Sequence, residues 1–334
     1  MPKSNYNLLD NYADLPYNLS KKENDALIEE RQIAIRKSNK LIRDFTAKMT
    51  VSQFRLANYI IGIAYTQSDD LVVEFDIKRY CEICGIDYKS GYNYKQIKSD
   101  IKKLSDRSLW VEAFGNPDVE VLVRLINKSW VYNKSGIVKI RLDEDVKQYI
   151  SALSNQYKEH GQLYTSYEFL YTLPMHSVYS MRLYELLKSW ATKNSEEHGH
   201  YWTIANLKDL LDSKYDRYQD FRRFVLDKAI NEINEYTDLN VSYEPIKQGR
   251  NYAYINFYIL KKPKDAIIKI QGKINNYLNF GRDVERAKRR NAKTIAELTT
   301  NTDGQTSFTG CEELPEPPAE SSVPKKRGRP KKVK

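Results

Sequence analysis

The chain has 334 residues, with 54 Lys and Arg against 44 Asp and Glu, a net charge of +10 that favours a polyanionic partner. That length allows about two domains plus tails. No apolar run approaches the ~18 residues of a membrane span and no signal-peptide core opens the chain, while three cysteines, an odd number, point to a reducing, cytoplasmic setting.

Residues 1–32 are polar and Asn-rich without a sustained period, and are expected to be a flexible extension. Ile33 to Phe45 predicts a helix or a strand followed by a helix. Thr50 predicts an N-cap for an apolar helix through Phe54, Leu56, Ala57, Ile60, Ile61 and Ile63. Leu71–Phe75 predicts a strand, Asp76 caps a helix to Cys84, and Gly85 ends it. A second helix runs from Tyr92 to about Asp106. Strands are predicted at Leu109–Phe114, Val119–Ile126 and Ile137–Leu142, with a short helix from Asp143 to Ile150.

Residues 151–165 look like a linker, and 166–262 like a second domain. It opens with Ser166 to Pro174 and an amphipathic helix from Ser177 to Thr192 that buries Met181, Leu183, Tyr184, Leu187 and Trp190. From Tyr201 the pattern reads strand, short helix, turn and long helix, then two strands. Val225, Leu226, Ala229, Ile230, Ile233 and Tyr236 recur at helical spacing, and alternation takes over at Leu239, Val241 and Tyr243. Pro245 to Asn251 predicts the hairpin turn, and Tyr252 to Leu260 the returning strand.

Two helices followed by a hairpin is the winged-helix arrangement, in which the second helix can enter a DNA major groove. Residues 33–150 repeat that order. Ile97, Ile101 and Leu104 share the spacing of Leu226, Ile230 and Ile233, and Leu109-Trp110-Val111 is matched to Leu239-Asn240-Val241. The fold class expected is therefore α+β, with tandem, duplicated winged-helix domains and disordered terminal tails.

The cations fall on the second helix of each copy. In copy one, Lys95, Lys98, Lys102 and Lys103 share it with Tyr92 and Tyr94; in copy two, Lys214, Arg217, Tyr218, Arg222, Arg223 and Lys228 are joined by Lys247 and Arg250 of the hairpin. Lys is a good phosphate partner, whereas Arg reads guanine in a bidentate fashion. Backbone gripping is thus assigned to copy one and base reading to copy two. A solvated basic surface is the competing reading.

Residues 263–334 are polar and basic, with a frayed helix expected over 264–293 and disorder from about 290. Their last stretch carries Arg327, Gly328, Arg329 and Pro330 between lysines, resembling an AT-hook. The narrow minor groove of A·T tracts concentrates negative potential and attracts such extended Arg side chains.

SMRLYELLKSWA and FRRFVLDKAINEINEYTDLNVSYEPIKQGR resemble the iteron-binding replication initiators of theta-replicating plasmids, and IRKSNKLIRDF resembles the start of that family's first domain. The resemblance spans about residues 33–262. It implies a tandem winged-helix protein that binds repeated origin sites as a monomer and opens an adjacent AT-rich region. It further implies recruitment of host initiator and helicase proteins, and dimers, in equilibrium with monomers, that repress its own promoter. The resemblance places the DNA-facing positions at Lys214 to Arg223 and on the Tyr92–Lys103 helix.

Enzymatic chemistry is weakly supported. His198-Gly199-His200 has the spacing of a nickase metal pair, with Tyr215 and Tyr218 as the nearby tyrosines, yet it sits in a polar loop without a third ligand. Cys81 and Cys84 lie in an apolar helix without a second Cys or His pair, which favours a core role over zinc. No phosphate-loop signature is present. No cofactor, metal or catalytic residue is expected. A nicking enzyme and a repressor without replication function remain the alternatives.

Overall fold

The computed structural model describes residues 20–44, 48–67, 71–88, 91–113, 116, 118–150, 164–191 and 199–279. Its elements run α1 (Lys21–Arg31), β1 (Ala34–Ser38), α2 (Asn39–Asp44), α3 (Val51–Gln67), β2 (Val72–Asp76), α4 (Ile77–Ile83) and α5 (Gly91–Ser105). They continue with β3 (Ser108–Glu112), β4 (Glu120–Arg124), β5 (Ile126–Val131), β6 (Ile137–Leu142) and α6 (Glu144–Ile150). After residue 163 come β7 (Tyr164–Glu168), a 3₁₀ turn (Phe169–Thr172), α7 (Val178–Trp190), β8 (His200–Thr203), α8 (Ile204–Leu210), α9 (218–236), β9 (Leu239–Gln248), β10 (Asn251–Lys261) and α10 (264–279).

Local chemistry sets the first lobe. The predicted apolar positions of α3 are all buried, and Thr50 and Gln53 cap it reciprocally, each backbone N–H meeting the other's side chain. Asp76 accepts the Lys78 N–H at 2.6 Å and opens α4, as expected. Gly85, at φ +62°, turns the chain after that helix.

The duplication holds at the level of topology, in a form the residue pattern does not suggest. One sheet has the order β2-β6-β5 and another β8-β10-β9, so each lobe is a strand, two helices and a hairpin whose returning strand pairs with the first. The counterpart of β9 is therefore β5, not the Leu109-Trp110-Val111 strand matched to it above. The single strand expected over Val119–Ile126 is split at Leu125 into β4 and β5. β3 and β4 form an extra two-stranded ribbon between α5 and the wing.

The repeat also extends backwards, since β1-α2-α3 precedes one lobe and β7, the 3₁₀ turn and α7 precede the other. β1 and β7 pair antiparallel about Arg36↔Ser166, which joins the lobes along a short ribbon. Beneath it, Lys37 Nζ reaches Glu185 Oε1 at 2.7 Å with both side chains buried, and the Tyr167 hydroxyl donates to the same carboxylate. Burial lowers the Lys37 pKa against the pull of Glu185.

Three further expectations are corrected. Residues 21–31 are not loose: they form α1, opened by a Ser20/Glu23 capping box, with Leu27 buried. The helix after β10 is not frayed over its described part. α10 packs back on the first lobe, with Ile274 and Leu278 buried and Asn275 and Asn279 bonded to Arg31. The hairpin turn is also shorter than predicted, because β9 continues through Pro245 to Gln248. That strand is the sheet edge, where a proline removes no ladder hydrogen bond. Residues 1–19 and 280–334 lie outside the described residues, as do the linker core 151–163 and the AT-hook-like end.

Candidate nucleic-acid interface

In the second lobe, α9 begins at Tyr218, with Arg217 as an N-cap that makes no side-chain capping bond. Its first part contains a π turn, Arg222–Leu226, in which the Asp227 N–H reaches the Arg222 carbonyl. This widened turn has a chemical consequence. Residues five apart point in different directions on a regular helix, but the π turn stacks Arg222 over Asp227, and Arg222 Nε lies 3.5 Å from Asp227 Oδ2. Tyr243 of β9 donates its hydroxyl to the other oxygen of that carboxylate. The electrostatics agree: nearby Tyr243 and then Asp227 raise the Arg222 pKa. Burial raises that of Tyr243.

Lys214, Arg223, Lys228 and Lys247 surround aromatic rings. Tyr215 stacks on Phe224 with centroids 5.3 Å apart, and Arg223 and Lys228 lie 5.3 and 5.5 Å from the Phe224 ring. Lys214 stands 5.5 Å over Tyr215. Tyr218 meets Tyr252 of β10 at 4.5 Å, and Lys247 caps that ring at 5.0 Å. Packed rings hold these four cations in place, and Lys214, Arg217, Arg222, Arg223, Lys228, Lys247 and Arg250 are all solvent-exposed. Arg222 is thus a surface residue, although it is positioned by Asp227 and Tyr243. The Tyr218 hydroxyl is buried without a hydrogen-bond partner among the described residues, and burial raises its pKa.

In the first lobe, α5 buries Ile97, Asp100, Ile101 and Leu104 and exposes Lys95, Lys98, Lys102 and Lys103. Tyr92 is 70% exposed and Tyr94 half-buried. Lys98 Nζ donates to Asn133 Oδ1 of the wing turn at 3.1 Å, and the Tyr94 hydroxyl to the same oxygen at 3.4 Å. Helix and wing are thus tied in both lobes, through an amide in one and a ring pair in the other.

The sequence reading missed Asn133, Asp227, Tyr243 and the buried Asp100. Asp100 accepts from Ser52, Gln53 and Gln96 at 2.6, 3.1 and 3.0 Å and pins α5 to α3. An acidic residue in the middle of a lysine-rich helix was the one available signal for it.

The nickase pair is not assembled in the described part. His198 lies outside it, and no group of three metal-ligating side chains occurs among the described residues. His200 stacks near Trp190, and burial lowers its pKa. Gly199 has its own structural reason: at φ +68° it lies against Asn256, where any Cβ would collide with that side chain. Cys81 and Cys84 are buried in the apolar core, as the core reading expects.

Comparisons with known proteins agree with this architecture. The family described as "Initiator Replication protein, WH1" matches residues 34–188, running through β7 and most of α7. The family described as "Initiator Rep protein, WH2" matches residues 203–259. The crystal structure of Pi initiator protein in complex with iteron DNA has a similar fold, with TM-score 0.55 and 18% identity over 70% of this chain and 99% of that one. A structure of domain 2 and domain 3 of RctB aligns at TM-score 0.41 and 12% identity, over 70% of this chain and 93% of that one. Tandem winged-helix lobes carrying both matches place the chain in the replication initiator family, with its WH1 domain within residues 34–188 and its WH2 domain over 203–259.

Proposed function

We propose that the chain initiates plasmid replication by binding repeated duplex sites, iterons, with α5 and α9 in major grooves and the wings on the flanking backbone. One observation carries the reading. The same framework occurs twice, and each time an exposed row of cations lies on the second helix and is tied to its own wing. The Pi initiator protein, which shares the fold, was crystallised in complex with iteron DNA. Base reading falls to α9 and backbone gripping to α5, because arginine reads guanine and lysine serves as a point charge for phosphate.

Opening of an adjacent AT-rich region follows from binding energy. Bending or unstacking flexible steps costs a few kcal/mol, within reach of several bound copies. The AT-hook-like Arg327-Gly328-Arg329-Pro330 would raise occupancy on that region. Host initiator and helicase proteins would then load on the opened strands. A dimer in equilibrium with the monomer would repress the chain's own promoter from the bacterial cytoplasm. Among the described residues, no helix is long and apolar enough to cross a membrane.

Footprinting on the DNA flanking the gene tests this, together with incubation of supercoiled origin plasmid with Mg²⁺ or Mn²⁺. The expected result is protection of regularly spaced repeats and reactive thymines in the neighbouring A·T segment, with no covalent product. A tyrosyl-DNA adduct would establish the nicking enzyme instead. Deleting 325–334 should leave repeat affinity nearly intact and weaken an A·T duplex more than a G·C one; equal weakening makes the tail a plain electrostatic anchor.

A further inference from the structure

α10 starts beside the end of α9. Lys262, just before α10, donates from Nζ to the carbonyls of Asn234 and Thr237 at 2.5 and 2.8 Å, so a cation closes the carboxyl end of the second lobe's reading helix. The Lys262 N–H also meets the Asp238 carbonyl at 2.9 Å. From there α10 extends for about 24 Å and ends on the first lobe. Leu278 lies against Gly85, where an added Cβ would sit 3.0 Å from the Leu278 carbonyl oxygen. Gly85 turns the chain between α4 and α5, the two helices of the first lobe's winged-helix motif.

Arg31 closes the far end by the same chemistry. Its Nε and Nη2 donate to the carbonyls of Ile83 and Glu82, the last two of α4, at 2.9 and 3.1 Å. Its Nη1 donates to Asn275 and Asn279 of α10 at 3.0 and 2.9 Å. The exposed Lys273–Glu235 pair adds little, being screened by solvent, so the buried Arg31 and half-buried Lys262 carry the attachment. The β1–β7 ribbon and the Lys37–Glu185 pair join the lobes elsewhere. A short ribbon by itself leaves a hinge, whereas a stiff helix anchored at both ends removes that rotation. Both α1, which carries Arg31, and α10 fall outside the residues that the two initiator families match, 34–188 and 203–259.

We propose that α10 is a strut that fixes the angle and distance between α5 and α9, with Arg31 as its positioning residue. It thereby sets the spacing between the two blocks of base pairs that one chain accepts on a duplex, a role that rests on the duplex-binding function proposed above. One base pair inserted between the blocks turns the second block by about 35° and moves it about 3.4 Å. Two reading helices held at a fixed angle cannot follow that displacement, whereas two lobes free to hinge can.

The test pairs a distance measurement on the free chain with binding to two duplexes. Spin labels on Asp106→Cys and Asn231→Cys, both exposed positions, in a full chain that also carries Cys311→Ser, report the distance between the ends of the two motifs. One narrow distance is expected, broadened by the double substitution Asn275→Ala and Asn279→Ala, which removes both acceptors of Arg31 on α10. On DNA, one inserted base pair should weaken the otherwise unsubstituted chain about tenfold relative to the uninterrupted repeat, and the double variant only about twofold. A variant that is merely less stable would lose the same factor on both duplexes. A distance that stays narrow in the variant overturns the proposal, as does an insertion penalty equal to that of the unsubstituted chain. Should the double variant fail to fold, Gln271→Ala with Lys273→Ala decides by the same two measurements. Broadening in the variant, with no repeat binding by the unsubstituted chain, sinks the duplex reading alone; narrow distances throughout, with repeat binding intact, sink the strut alone.

Discussion

Tyr218, the first residue of α9, rests its ring on Tyr252 of β10 with centroids 4.5 Å apart and planes at 32°, so the amino end of α9 is packed directly on its wing. Such ring pairs are worth about 0.5–1.5 kcal/mol beyond their buried area. Tyr252→Ala should therefore loosen the wing, and with it the perch of Lys247 on that ring. Repeat-duplex affinity should fall about tenfold while the melting temperature moves by only a few degrees. A wing that stays rigid by amide exchange, with unchanged affinity, would refute the coupling.

Arg223 and Arg222 are adjacent, yet only Arg222 is held by Asp227 and Tyr243. Arg223→Ala should cost about 1–3 kcal/mol on repeat sites and little on random duplex. Arg222→Ala should cost less selectivity, because its role is shared with positioning Asp227. In the first lobe, Lys98→Ala or Lys102→Ala should weaken both duplexes alike and reduce the salt slope by about one. Competition binding at several salt concentrations separates these outcomes, and equal losses on both duplexes for Arg223→Ala would remove its base-reading role.

Arg31 joins four acceptors from two distant stretches of chain. It is 1% exposed and donates to the carbonyls of Glu82 and Ile83 and to the side chains of Asn275 and Asn279. Through it α10 is pinned to the first lobe, while Lys273 pairs with Glu235 of α9 at 2.7 Å. Arg31→Met should cost at least about 3 kcal/mol, since three buried acceptors and one half-buried one lose a charged donor. Denaturant melts measure that loss, and a cost under about 1 kcal/mol would show that water replaces the guanidinium freely.

The β3–β4 ribbon presents two apolar faces. Leu109 and Val123 pair on the buried side, while Trp110 and Leu122 pair on the other, 58% and 48% exposed. If the chain dimerises through its first lobe, this outer pair is the contact, since Val123 on the opposite face is buried in the core. Leu122→Glu should yield folded monomers by sedimentation that still bind a single repeat. A dimer that persists would move the interface elsewhere.

Much of this protein is legible in its residues because the deciding signals are local. Asp76, Thr50 and Ser177 cap helices where their side chains reach the following N–H groups, and the spacing of Ile97, Ile101 and Leu104 marks the buried face of α5. The cations of α5 and α9 stand exposed on the helices that the sequence places them on. What pairs with what was decided elsewhere. Strand partners depend on which edges meet in space, so the counterpart of β9 proved to be β5, and β1 found β7 far along the chain, with Arg36 opposite Ser166. The Arg222–Asp227 contact needed a π turn, for which the periodicity carries no mark. Arg31, Lys37, Asp100 and Arg182 read as surface charges by type, yet each is buried, because partners from distant segments surround it. Only the folded chain brings those partners together.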